Sequence, residues 1–167
     1  MKMNFDDLIK AGLVREKSYP NGLRVIKYDR SVFHKNLWHV DPLLLEARGI
    51  VLDADDNVVV WPFTKVFNHG ENGTTCEPER MVDVVRKVNG FMASATMYKG
   101  ELLVSTTGSM DSDFVTLAHK HIDKLSWDNL FHNSWAEGLT YIFEICDVSD
   151  PHIVEEAEGA YLIGARK

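Results

Sequence analysis

The chain has 167 residues, long enough to bury a real core within one domain. Hydrophobic side chains make up 45% and charged ones 26%, the balance of a soluble globular protein rather than of a disordered or membrane-embedded chain. Eighteen basic against 25 acidic residues give −7, which argues against binding nucleic acid chiefly by bulk phosphate neutralisation; any such contact needs a local basic cleft or a part outside this chain. The two cysteines, Cys76 and Cys146, form no C-x-x-C pair and read as free thiols of a reducing compartment. No signal peptide opens the sequence, and no apolar run approaches the roughly 18 residues that span a bilayer, so a cytoplasmic location is expected.

Along the chain, Asn4 precedes Phe5–Gly12, which reads as a short capped helix with acids in its first turn and glycine at its end. Asn21-Gly22 turns into a strand over Leu23–Asp29, whereas Arg30–Pro42 is aromatic, mixed in charge and carries no clear period. His34 and His39 in that segment do not share a helix face and read as loop or packing residues. Arg48–Asp53 and Asn57–Phe63 are β-rich runs joined by a turn, a hairpin. The polar and aromatic stretch Thr64–Glu71 and the segment Gly70–Pro78 are loops.

Met81–Val88 and Phe91–Tyr98 read as strands on either side of Asn89-Gly90. With Leu102–Gly108 after the Lys99-Gly-Glu101 turn, they make a three-stranded meander and hence an antiparallel sheet. Phe114, Leu117, Ala118 and Ile122 have helical spacing, with Ser109, Asp111 or Ser112 able to cap. A second helix is expected over Trp127–Trp135, and Thr140–Cys146 and Ala160–Ala165 are strands. Consecutive strands outnumber helices, so the class is α+β, with antiparallel sheets and flanking helices in a single domain over 1–167.

Lys87 stands three residues before Gly90. Read plainly, Asn89-Gly90 is a hairpin turn and Lys87 a solvated rim residue. Read chemically, Lys87 is a nucleophile. Only about one unperturbed lysine in a few thousand is neutral at pH 7, and attack on phosphorus needs the neutral amine. Burial and neighbouring cations supply it, and Arg86, Arg48 and Lys65 are candidates for that surrounding charge. Arg or Lys clamps with a divalent ion also neutralise polyphosphate. Glu144 interrupts an apolar strand. It reads either as a residue on the solvent face of the sheet or as an acceptor for a ribose hydroxyl or metal-bound water. His119 and His121, two apart on a helix, point to different sides and make a weak metal pair. The tryptophans, Phe63 and Phe67 read mostly as core; one of them exposed near Lys87 would stack on a base.

Six segments in order resemble the ATP-dependent RNA ligase family of the T-even phage type, over roughly Leu43–Lys167. Glu46-Ala-Arg-Gly-Ile-Val51 resembles the family's arginine-glycine strand, and Pro62-Phe-Thr-Lys-Val-Phe-Asn68, with Glu71 following, its lysine-phenylalanine-asparagine segment. Lys87-Val-Asn-Gly90 is similar to motif I, whose lysine becomes linked to AMP. Ser105-Thr-Thr-Gly-Ser109, Phe143-Glu-Ile145 and Tyr161-Leu-Ile-Gly-Ala165 resemble the next strand motifs, ending at motif IIIa. The resemblance departs at Asn89, where aspartate is usual, and at Thr107, where a lysine is usual. It also lacks motifs IV and V: no Lys-x-Lys occurs, and Glu158-Gly159, only 14 residues after Glu144, is a decoy for motif IV.

The resemblance implies a covalent nucleotidyltransferase core, incomplete at its C-terminal side, that uses ATP and Mg2+ to join RNA 5′-phosphate and 3′-hydroxyl ends. Lys87 would form lysyl-AMP. Arg48, Lys65, Phe67, Glu71, Gly90 and Glu144 would bind the nucleotide, with the metal ligands left open. A downstream segment or second chain would supply the missing motifs. Two other readings stay open: a degenerate or truncated nucleotide-binding module without turnover, and GTP-dependent RNA capping, which shares the lysine chemistry.

Overall fold

The computed structural model describes residues 1–77, 79, 81–125, 138–152 and 154–167. The first helix, α1 (Asp6–Lys10), has Phe5 at its N-cap position and no side-chain cap there; Asn4, one residue earlier, accepts the Asp6 N–H through Oδ1 at 3.0 Å. Four strands follow, β1 (Val14–Ser18), β2 (Arg24–Tyr28), β3 (Arg48–Leu52) and β4 (Val58–Val60). They form one antiparallel sheet in chain order. Strand β1 has no signature in the sequence because only Val14 is buried and the next four residues are exposed, so no apolar alternation marks it. The segment 30–46 lacks a clear period because it holds three short pieces. These are α2 (Arg30–His34), capped by Asp29 Oδ1 accepting the Ser31 N–H at 2.8 Å, a 3-10 turn over Leu37–His39, and α3 (Leu43–Glu46).

The run Ile50-Val51-Leu52 is unbroken because this sheet is covered on both faces. Ile26, Ile50 and Leu52 pack with Phe5, Leu8, Val32, Trp38 and Leu44 under the helices. Val25, Val51 and Val60 pack the other way, against Tyr98 and Leu103 of the second sheet. That sheet contains β5 (Phe91–Tyr98), β6 (Glu101–Thr106), β7 (Thr140–Cys146) and β8 (Gly159–Arg166), ordered β6-β5-β7-β8 and antiparallel throughout. Its far face is closed by α4 (Asp113–Ile122), over Ala93, Ala95, Val104, Tyr141, Phe143 and Ile145. The class is α+β, with two antiparallel sheets between flanking helices.

The expected three-stranded meander is a correction. Met81–Val88 forms no strand, and Met81, Val82, Val84 and Val85 all lie exposed. The edge of β5 that this segment would have paired with is taken by β7, from Phe91↔Ile145 to Ala95↔Tyr141. Asn89-Gly90 therefore leads into β5 rather than turning a hairpin. On α4 the expected Ala118 and Ile122 are buried and Leu117 is half-buried, with Val115 and His121 completing the buried face; Phe114 is exposed and packs edge-on against Phe91. The helix expected over Trp127–Trp135 lies outside the described residues.

The two sheets meet closely at one corner. Gly49 has φ +93°, and a Cβ there would fall 2.7 Å from Thr107 Cα, so the residue is glycine for both conformation and space. At another corner Glu46 accepts from Trp61 Nε1 and Thr64 Oγ1, both at 2.8 Å, and from Arg166 Nη1 at 2.9 Å, which ties β8 to the first sheet. Burial alone would push the Glu46 carboxyl up; these hydrogen bonds outweigh it and hold it below its ordinary value. Among the described residues no helix is long and apolar enough to cross a membrane.

Candidate functional site

The residues singled out in the sequence fall into two sets. The first surrounds the loop after β4. The Lys65 N–H donates to Leu45 O at 2.7 Å, pinning the loop to α3, and the Lys65 amine lies 4.6 Å from the Phe67 ring centroid and 5.6 Å from that of Trp38. Burial, and then the nearby Arg48 guanidinium, pull the Lys65 pKa below its ordinary value, with Glu71 acting in the opposite direction. Glu71 Oε2 accepts the Asn68 N–H at 3.0 Å, and this bond, with the Lys65 charge, holds its carboxyl low. Phe33, Trp38, Lys65, Phe67 and Glu71 line a hollow of about 290 Å³. Trp38, from the segment without a clear period, is the member that sequence reasoning treated as core. It is core, and it also forms part of the wall.

The second set is at the start of β5. The Gly90 N–H donates to Glu144 Oε1 at 3.0 Å. A Cβ on Gly90 would lie 2.0 Å from Ile145 O, so the close approach this glycine permits within the protein is to the β7 backbone. Glu144, opposite Met92 and Tyr161 in the sheet, is half-buried rather than fully on a solvent face. Lys87 is exposed, its Nζ donating to Asn89 Oδ1 at 3.1 Å, so the desolvation expected of it is not present here. Asn89, in place of the usual aspartate, thus still meets the lysine through a side-chain oxygen. Its carbonyl accepts from Cys146 Sγ at 3.5 Å, and burial, Glu156 and Glu144 push that thiol up. Arg86 forms an ion pair with Glu156, whose side chain is only 4% exposed. Glu156 lies in an acidic loop with no periodic signal, so nothing in the sequence marked it.

Arg48, Lys65, Phe67 and Glu71 are thus brought together, as are Gly90 and Glu144, while the exposed Lys87 amine meets Asn89. No hydrogen bond, ion pair or ring contact among the described residues joins the two sets directly. A third cluster, His121, Asp147 and Glu158, brings three potential ligand atoms within 4.8 Å. The Lys120 ammonium already bonds Asp147 Oδ2 and lies 3.6 Å from Glu158, so this is a hydrogen-bonded hub between α4 and the β7–β8 loop. His119 points elsewhere, to Asp123, as the two-residue spacing requires.

A family model described as RNA ligase matches residues 46–167, a span that contains every residue of the two sets except Phe33 and Trp38. RNA ligase 1 of bacteriophage TS2126 is 34% identical over 134 residues, covering 72% of this chain and 34% of that protein. The chain spans about a third of the length of this relative. On these matches the chain belongs to the RNA ligase family.

Proposed function

We propose that the chain is the adenylylating core of an ATP-dependent RNA ligase, with a nucleotidyltransferase fold and Lys87 as nucleophile. The observation that carries this reading is the Gly90–Glu144 hydrogen bond, which ties the segment after Lys87 to strand β7 inside the family-matched span. The neutral Lys87 amine attacks the α-phosphorus of ATP. An N–P bond forms, the bond from the α-phosphorus to the bridging oxygen breaks, pyrophosphate leaves with the electron pair, and the amine proton passes to solvent. An oxygen of an RNA 5′-phosphate then displaces Lys87 from AMP, and an RNA 3′-hydroxyl displaces AMP to seal the strand.

Arg48 and Lys65 meet phosphate in this reading, Phe67 and Glu71 complete that side, and Gly90 and Glu144 bound the ribose side. Magnesium takes hard oxygen donors. Glu71 and Glu144 each have one carboxylate oxygen bonded to a backbone N–H and a second to offer, which fits that class, whereas the His121 cluster already holds an ammonium. Bound there, magnesium would offset the charge of the triphosphate.

The test is incubation with ATP and Mg2+ followed by intact-mass measurement of wild type and Lys87→Ala. The expected result is an AMP-sized gain in wild type alone. A gain that persists in the variant removes Lys87 from the mechanism. The exposure of Lys87, together with threonine at 107, favours as second reading a nucleotide-binding module without turnover, and no gain in either protein would select it. GTP in place of ATP as the label source separates capping from ligation.

A further inference from the structure

Three cations, Lys27, Arg48 and Lys65, gather where the two sheets meet, and of these Lys65 has an acid, Glu71, near enough to act on its charge. Lys27 on β2 lies directly opposite Arg48 on β3 in the strand register, so the two side chains share a face. Arg48 is close enough to Lys65 to depress its pKa. The Lys27 side chain runs to the end of β6: a Cβ built on Gly108 would sit 3.6 Å from Lys27 Nζ, and the adjacent Thr107 backbone packs on Gly49, next to Arg48.

Among the described residues, neither the Lys27 nor the Arg48 side chain makes a hydrogen bond or ion pair, and the Lys65 amine bonds only a backbone carbonyl. In a chain with 25 acidic and 18 basic residues this grouping is unusual. Several exposed cations elsewhere are paired: Arg15 with Asp29, Lys17 with Asp111, Arg86 with Glu156 and Lys120 with Asp147. Like charges grouped with only one acid, Glu71, acting on Lys65 leave positive charge for an anion bearing several charges to meet.

We propose that Lys27 is a polyphosphate-binding residue, the third member of a Lys27–Arg48–Lys65 clamp, and that its amine supplies from β2 the positive charge that Thr107 does not supply from the end of β6. The proposal rests on the nucleotidyltransferase reading and adds to it a residue outside the family-matched span 46–167. It also answers the first constraint set by composition, that an acidic chain needs a local basic cleft. The ligand class is a linear polyphosphate, with or without a nucleoside attached.

The experiment measures binding of inorganic tripolyphosphate, ATP and adenosine by calorimetry to wild type, Lys27→Ala, Lys27→Arg and the double variant Lys27→Ala/Thr107→Lys, at fixed ionic strength. Lys27 is exposed, so the variants should melt with wild type. Loss of one charge-assisted contact is expected to weaken tripolyphosphate and ATP about tenfold or more. Adenosine binding should be unchanged, and Lys27→Arg and the double variant should recover most of the loss. Tripolyphosphate binding of wild-type strength in Lys27→Ala overturns the proposal, as does a loss that neither Lys27→Arg nor the added lysine at 107 repairs, or a wild type that binds no tripolyphosphate. A wild type that binds tripolyphosphate through Lys27 yet forms no lysyl-AMP would sink the adenylylation reading and leave this one standing.

Discussion

The Gly90 amide and the Glu144 carboxylate, 3.0 Å apart, join two segments separated by 54 residues of sequence. The bond gives Glu144 a function within the protein itself: it holds the segment that follows Lys87, at the start of β5, against β7. A carboxylate that accepts a backbone N–H in this way is fixed in orientation before any ligand arrives, and its other oxygen remains available. That is the kind of preorganisation a transferase needs, because a group aligned beforehand does not have to be ordered during the reaction.

Gly90→Ala tests the same contact from the other side. The new methyl would meet Ile145 O at a non-bonded distance of 2.0 Å, and backbone on both sides leaves little room to yield. A loss of about 1–3 kcal/mol is expected from overpacking, read as a lower urea midpoint with unchanged m-value. Glu144→Ala should lose a comparable amount by leaving the Gly90 N–H without its acceptor. Glu144→Gln, which keeps an oxygen there, should lose less. Equal losses for Ala and Gln at 144 would show that the hydrogen bond contributes nothing.

Lys65 should titrate at lower pH than the other lysines, because burial and the Arg48 charge both disfavour its ammonium form. Reductive methylation with carbon-13 and NMR titration resolves it. Arg48→Ala should move its midpoint up toward the ordinary lysine value, and Glu71→Gln should move it further down. A Lys65 signal that titrates together with the surface lysines, or does not respond to Arg48→Ala, would contradict the electrostatic account of this hollow.

The β7–β8 loop should carry an acid-sensitive contribution to stability. Lys120, then Ser149 through its hydroxyl and N–H, and His121 hold the Asp147 carboxyl well below the usual carboxylate range, against the opposing effect of burial. Because the folded value is depressed, the stabilisation is complete above the unfolded pKa of about 3.9 and is lost as pH falls from there through the folded value. The stability difference between wild type and Asp147→Asn, from urea unfolding, should therefore shrink as pH falls below about 4. A difference that persists undiminished to pH 2 would assign the effect to packing rather than charge.

The sequence by itself determined the α+β class, the hairpin between β3 and β4, and strands β5 to β8 nearly to the residue. These are local matters: apolar runs, turn residues such as Lys99-Gly100, and short ordered motifs are written in neighbouring residues. Tertiary structure decided what neighbours cannot encode. Met81–Val88 has the composition of a strand, but β7 occupies the edge it would need, so it stays unpaired and exposed. Trp38 joins the Lys65 hollow, Glu156 meets Arg86, and Lys27 reaches Gly108 only because strands distant in the chain are packed together. Charge pairing across such distances depends on which side chains fold into reach of one another, and a linear reading holds no measure of that.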